Sequence, residues 1–387
     1  MPHHDQSTAI DDVVHLLAEH GFDGMAQAIQ TLLNEAMKLE RAAALGAAPY
    51  ERTEERRGYA NGFKPKTLST RLGKLQLAVP QTRGVEFYPS ALERGERSER
   101  ALKLALAEMY VQGVSTRKVA EITRELCGSE VSSAQVSRAA ELLDEELTAW
   151  RNRPLGAMPY VILDARYEKV RHGGSVVDCA VLLAIGVTPE GQRSVLGVSV
   201  SLSEAEVHWR AFLQSLIERG LHGVQFIVSD DHAGLKQARK ACFPGVPWQR
   251  CQFHLVQNAL SHVPKIALRG EVAGDLRAVW NAPDRHEAER QLGLVVSKYQ
   301  ATAPGLTTWL EANVPEGLTV FALPPAHRRR LRTTNAIERL NQEIKRRTRV
   351  ATLFPHEASL LRLVSAILQE TSEDWETGKV YLSMETY

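Results

Sequence analysis

Three carboxylates stand where a purely structural role explains them poorly. Asp164 closes the run Tyr160-Val-Ile-Leu-Asp, and a charge in so apolar a stretch is costly unless it is paired or bound to a metal. Asp230 follows the apolar run that ends at Val228 and Ser229, at the carboxyl end of a strand, where open α/β sheets build their sites. Glu338 heads a polar ridge on a helix. A strand position, the end of a neighbouring strand and a helix packed on the sheet can converge on one point. Asp164, Asp230 and Glu338 are therefore the candidate catalytic residues and metal ligands. Three hard oxygen donors with no thiolate favour Mg²⁺ or Mn²⁺ over zinc. Two such ions roughly 3.5–4 Å apart would activate a nucleophilic oxygen and stabilise the leaving oxygen of a phosphoryl displacement. Asp231 remains an alternative to Asp230. Asp230 is preferred because it directly continues the strand, while Asp231 can cap the helix that follows. Glu168 shares the face of Asp164 and reads as a salt-bridging strand residue, and Asp178 on the next strand carries less weight.

Cys251 and His254 form a Cys-x-x-His pair shortly after Asp230. With Cys242 and His262 they could make a zinc site, although the spacing is irregular. The pair could instead stand beside Asp230, with His254 meeting DNA or a catalytic neighbour, or His254 could be a buried histidine satisfied by a carbonyl.

The stretch from Arg328 to Val350 holds nine Lys or Arg against Glu338 and Glu343, whereas the 387-residue chain nets only +1. The positive charge is thus concentrated here. Ile337, Leu340 and Ile344 make a narrow apolar helical stripe. Glu338, Asn341, Gln342, Lys345 and Arg349 run beside it. That arrangement suits an acid at the edge of a core with a cationic ridge lying along a polyanion; a solvated basic helix is the plainer reading.

The elements that must position these groups follow from the pattern. The length calls for two or three domains, and 44% hydrophobic with 24% charged residues is ordinary for a globular protein. No run approaches 18 apolar residues, so no membrane span is expected. The N-terminus, with Asp5, Asp11 and Asp12, does not read as a signal peptide. Four scattered cysteines make no disulfide framework, and a cytoplasmic protein is expected.

Residues 1–50 form a helical segment in which Met25, Ile29, Leu32, Ala36 and Leu39 step in a coiled-coil-like way, for packing on the same chain or for dimerisation. Residues 51–100 form a small basic β-containing module. There Leu75, Leu77 and Val79 share a face and Pro80 ends the second strand. In residues 101–150, three helices have helix-turn-helix spacing: Leu102–Val111, a second capped by Ser115, and a third capped by Ser132 or Ser133 and running to about Leu147. Gln135 and Arg138 lie where a recognition helix meets base edges; an ordinary three-helix unit is the alternative. From Tyr160 the period switches to two. The order strand, strand, strand, helix, strand, helix, strand is that of a ribonuclease H-like α/β core, first part 151–251. Residues 252–325 form an all-α insertion. Residues 326–387 complete the core with the Glu338 helix and an amphipathic C-terminal helix over Glu357–Glu370. The last residues carry little signal.

Several segments resemble the bacterial Mutator-like insertion-sequence transposases: Gly58-Tyr-Ala-Asn-Gly-Phe63, Gly113-Val-Ser-Thr-Arg117, Leu163-Asp-Ala-Arg-Tyr-Glu-Lys-Val-Arg171, Ser229-Asp-Asp-His-Ala-Gly-Leu235, Trp248-Gln-Arg-Cys-Gln-Phe-His254, Thr334-Asn-Ala-Ile-Glu-Arg-Leu-Asn341 and Glu343-Ile-Lys-Arg-Arg-Thr-Arg349. They span nearly the whole chain in order. The resemblance implies a DDE transposase with its triad on Asp164, Asp230 and Glu338 and its Cys-x-x-His signature on Cys251 and His254. It implies binding of double-stranded DNA at terminal inverted repeats, hydrolysis that frees a 3′-hydroxyl, and attack of that hydroxyl on target DNA. Gln135, Arg138, Arg339, Lys345, Arg346 and Arg349 would contact DNA. Two ends must meet, so a homodimer or larger assembly is expected. Asp231 departs from the family pattern, where a small neutral residue belongs. A nuclease that cuts without joining and a transposase-derived DNA-binding regulator are the alternatives.

Overall fold

The structure, a computed structural model, describes residues 9–128, 131–349 and 353–384. Asp5 and Val350 lie outside them. The chain divides into two compact units between Leu143 and Asp144.

The first unit opens with helices α1 (Ala9–His20) and α2 (Met25–Leu45), joined by a short 3₁₀ turn. A hairpin follows, β1 (Tyr59–Thr70) and β2 (Gly73–Arg83). Leu75, Leu77 and Val79 do share the buried face of β2, against Met37, Ile29 and Leu33 of α2. The helix thus packs on its own chain, with Leu32 and Leu39 left 40% and 72% exposed. Pro80 does not end β2. It pairs with Phe63 beside the register shift between Ala60 and Phe63, and at such an irregularity a residue without an N–H is tolerated. Helices α3 (Arg100–Val111), α4 (Thr116–Cys127) and α5 (Ser133–Ala140) enclose Leu102, Leu106, Val119 and Val136. The Ser115 hydroxyl caps α4, and Gly128 ends it in the left-handed conformation. The third helix stops at Ala140 rather than near Leu147. A new one, α6 (Asp144–Arg151), opens the second unit with Asp144, Glu145 and Glu146 in its first turn, where acids favour a helix start.

The second unit is a mixed α/β fold. Its strands are β3 (Tyr160–His172), β4 (Ser175–Val187) and β5 (Arg193–Ser201), then β6 (Phe226–Ser229) and β7 (Trp248–Arg250), with α7 (Glu206–Glu218) and α8 (Ala233–Cys242) between the later ones. The sheet order is β5-β4-β3-β6-β7. The β3–β4 and β4–β5 pairs are antiparallel, and β3–β6 and β6–β7 are parallel. One face buries Val161, Leu163 and Leu182 under Trp209, Phe212 and Leu213 of α7 and Leu235 of α8. Helices α9 (Gln252–Ser261), α10 (Arg269–Trp280), α11 (Arg285–Tyr299) and α12 (Pro304–Asn313) follow β7. Then come α13 (Pro325–Leu331), α14 (Asn335–Thr348) and α15 (Glu357–Thr377). Helix α14 packs on β3, and α15 on β3 and β5. Ile337, Leu340 and Ile344 are all buried, as their spacing predicts. The C-terminal segment is better anchored than its sequence implies. Leu382 is buried, and the Tyr381 and Leu382 N–H groups donate to the Gly191 carbonyl at 2.9 and 3.1 Å. Gly191 has a φ of +85°, and a Cβ there would lie 1.8 Å from the Leu382 carbonyl oxygen, so only glycine fits. Among the described residues no helix is long and apolar enough to cross a membrane.

Candidate active site

The parallel ladder between β3 and β6 runs up to the two aspartates. Tyr160 pairs with Phe226, Val161 with Ile227 and Ile162 with Val228; the same interval in sequence separates Asp164 from Asp230. Partners in a parallel ladder project to the same face, so Asp230 continues the row toward Asp164 as β6 ends. Both act electrostatically on one imidazole. His254 Nδ1 stands 3.8 Å from Asp230 Oδ1. The Cys251 thiol beside it, followed by the carboxylates of Asp230 and Asp164, raises the His254 ring to about 9 against the opposing effect of burial. Burial pushes the Asp164 carboxyl up to about 7; His254 opposes that, and Asp230 and Glu204 add to it. A buried acid next to a second acid resists ionisation until a cation joins them.

Helix α14 is fastened over this point by a polar seam. Asn341 Nδ2 donates to Asp164 Oδ2 at 2.9 Å. Arg166 donates to the Asn341 carbonyl and pairs with Glu168, and Thr348 Oγ1 donates to Glu168 Oε1 at 3.0 Å. Glu338 lies one turn before Asn341, on the same side of the helix, where Cβ atoms three residues apart are about 5–6 Å from each other. Glu338 Oε1 and Asn341 Oδ1 are buried with no hydrogen-bond partner, which is costly unless a ligand satisfies them.

Cys251 supports the start of the same helix. Its Sγ accepts from the Thr334 N–H and Oγ1, each at 3.4 Å, immediately before α14. Its own N–H donates to the Ser229 carbonyl at 2.8 Å. Cys251 therefore ties the strand end carrying Asp230 to the helix carrying Glu338. Cys242 and His262 are elsewhere: Cys242 faces the Arg210 carbonyl, and the His262 ring stacks on Trp309 with centroids 5.3 Å apart. The four residues do not gather as zinc ligands.

Asp231 is committed to another task. Its carboxylate accepts from Lys236 at 2.7 Å and from the buried Arg250 at 2.8 Å, and Glu316 pairs with the same two cations. It does not cap α8, which has His232 at its N-cap. Asp178 pairs with Lys169 at 3.3 Å.

The donor set suits a hard divalent cation in type: carboxylate oxygens of Asp164, Asp230 and Glu338, one of them orphaned, with the Cys251 thiol already used by Thr334. Among the described residues, however, no three His, Cys, Asp or Glu side chains already stand close enough to hold a metal ion.

The remaining candidates are dispersed. The Gln135 carboxamide oxygen accepts from the Ser132 N–H at 2.8 Å and completes a capping box with the Ser132 hydroxyl, so this side chain starts α5. Arg138 is exposed on α5. Arg339, Lys345, Arg346 and Arg349 are exposed on or at the end of α14. Arg339 lies within electrostatic reach of Arg193 and Tyr381, and Arg346 is held by Glu343. Sequence reasoning missed Asn341 as a partner of Asp164, although its place three residues after Glu338 was visible, and it missed Glu204, which no pattern marks.

A mixed α/β sheet with two aspartates acting on one imidazole, packed by a cationic helix, is thus the centre of the second unit. Comparison with known proteins places it. The profile of the family described as Transposase, Mutator family matches residues 3–378, and the chain belongs to that family. It is 59% identical over 369 residues to the transposase for insertion sequence element IS406 of Burkholderia multivorans, covering 95% of each chain. It is 46% identical over 364 residues to the transposase for insertion sequence element ISRM5 of Rhizobium meliloti, covering 94% of this chain and 91% of that one. With the transposase for IS256 in transposon Tn4001 of Staphylococcus aureus it shares 36% identity over 354 residues, 90% of each chain.

Proposed function

We propose that the chain is a DDE transposase with a ribonuclease H-like core, acting on the ends of its own insertion sequence by divalent-cation-dependent phosphoryl transfer. The observation that supports this reading is the β3–β6 ladder, whose interval, continued two residues past its last pair, would bring Asp230 level with Asp164, together with the hydrogen bond to Asp164 from Asn341 on the helix bearing Glu338. The strand order, three antiparallel strands extended by two parallel ones, supports the core assignment, and the helices α3 to α5 support a helix-turn-helix that reads the terminal repeats.

In this reading Asp164, Asp230 and Glu338 would hold Mg²⁺ or Mn²⁺, and closing the set takes a rearrangement of these side chains. The bound cation supplies charge stabilisation at the phosphate oxygens. The protein's own groups do the rest. Asn341 fixes the direction of Asp164 Oδ2 through one amide hydrogen. His254, whose pKa is raised beside Cys251 and the two aspartates, offsets part of their negative charge when it carries a proton. Lys345, Arg349 and Arg339 lie against the DNA backbone. A water oxygen first cleaves the phosphodiester and leaves a 3′-hydroxyl. That hydroxyl then attacks a target phosphorus, and the target's own 3′-oxygen departs with the proton.

The test supplies a duplex ending in the element's repeat, intact or already cut to a free 3′-hydroxyl, with Mg²⁺ and a target plasmid. Cutting of the first and joining of the second are expected. Cutting without joining would make the protein a nuclease, and repeat-specific binding with neither would make it a regulator.

A further inference from the structure

A second surface, in the first unit, is built for a different form of DNA. Between the end of α2 and the start of β1 lies an open hollow of about 1050 Å³ lined by Arg41, Tyr50, Arg52, Arg56, Tyr59 and Phe63, among others. Its aromatic rings are in solvent: Tyr50 is fully exposed, Tyr59 is 66% and Phe63 48% exposed. Three large exposed rings around one hollow are not explained by packing. Two of them have a guanidinium nearby, Arg41 4.8 Å from the Phe63 centroid and Arg56 5.7 Å from that of Tyr59. Both guanidiniums are held by main-chain carbonyls, Arg41 by that of Gly62 and Arg56 by those of Ala48, Glu51 and Gly58. Neither forms an ion pair with a described carboxylate, so their charge is available to a ligand. Tyr50 is the only described non-glycine residue with a positive φ, at 60°. Such a conformation is uncommon for a bulky residue. Residues 51–83 as a whole carry eight Lys or Arg against three Glu. Glu51 and Glu54 line the hollow too, and the Glu51 carboxylate is occupied by the Ala48 N–H at 2.8 Å.

Flat rings open to solvent, with fixed cations beside them, match unpaired nucleotides: bases stack on the rings and phosphates meet the guanidiniums, whatever the sequence. A paired duplex keeps its base faces covered and has no use for the rings. We propose that the Tyr50–Tyr59–Phe63 hollow binds single-stranded DNA, such as the strand exposed when an element end is opened. This rests on the reading of the chain as a DNA-processing transposase and assigns that reaction a second contact.

The experiment measures fluorescence anisotropy of the full chain with a labelled single strand of about 12 nucleotides and with the corresponding duplex. Tyr50→Ala, Tyr59→Ala and Phe63→Ala are each expected to weaken single-strand binding about tenfold, with duplex affinity unchanged. Tyr59→Phe and Phe63→Trp should retain it, and Arg52→Ala should lower the salt dependence by about one ion. Tyr50 is wholly exposed, so its removal leaves folding intact and keeps the test decisive. Equal loss on both DNA forms, or no loss on either, would overturn the proposal. So would loss of self-association on sedimentation with single-strand binding intact, which would make the hollow a contact between copies. Wild-type protein that binds duplex but not single strand would refute this inference alone; wild-type protein that binds neither would refute the transposase reading as well.

Discussion

Asn341 is the only side chain of α14 that hydrogen-bonds to Asp164 among the described residues, and it shows how a residue outside the acidic set can govern it. A buried carboxylate held by such a side-chain donor, besides the Ala165 backbone, has a fixed direction. Removing a hydrogen bond to a charged group costs about 1.5–3 kcal/mol, equivalent to about tenfold to a hundredfold in rate. Asn341→Ala should lower joining of a pre-cut end by that factor while duplex affinity stays constant; an unchanged rate would remove Asn341 from the site. Cys251 acts at the same scale through two hydrogen bonds to Thr334. Cys251→Ala should destabilise the protein by about 1–3 kcal/mol and lower activity, and Cys251→Ser should recover most of both in thermal melts and joining assays. Equal behaviour of the two variants would mean that the thiol is mere filling.

Helix α14 is the element on which the site depends, and its far half is held by ion pairs. Arg346 and Arg347 both bind Glu343, and Arg347 also reaches Glu370 of α15 at 2.6 Å. The Arg346 hydrogen bond, against the cost of burial and with help from Arg347, lowers the Glu343 carboxyl to about 2 from an ordinary 4.5. A depressed acid stabilises the fold above its unfolded value and loses that contribution as the pH falls. The melting difference between wild type and Glu343→Gln should therefore be constant above about pH 5.5 and shrink steadily from pH 4.5 toward 2. A difference independent of pH would place the effect outside the ion pair. Helix α14 was largely legible in the sequence, because its apolar stripe and charge ridge repeat at 3.6 residues. The strands, and the positions of Asp164 within one and Asp230 just past the end of another, were legible because period two and an interrupted apolar run leave a local signature. Pairings across long separations were not. Asn341 with Asp164, Cys251 with Thr334 and Leu382 with Gly191 join residues whose types are ordinary and whose meeting depends on the finished fold. Pro80 misled because its penalty disappears where the partner strand slips register.

At the scale of the whole molecule, the proposed joining at the Asp164 site needs DNA ends brought together in pairs. Sedimentation with repeat-ended duplex should show a complex containing at least two copies of the chain, and a strictly one-to-one complex would contradict end pairing. The central claim is that Asp164, Asp230 and Glu338 gather around a divalent cation when DNA is bound. Electron paramagnetic resonance of Mn²⁺ titrated into the protein with a pre-cut repeat end measures that directly. Wild type should bind the ion, and Asp164→Asn, Asp230→Asn and Glu338→Gln should each weaken it about tenfold or more and abolish joining, with DNA affinity preserved. Mn²⁺ bound as tightly by Glu338→Gln as by wild type, with joining intact, would contradict the account.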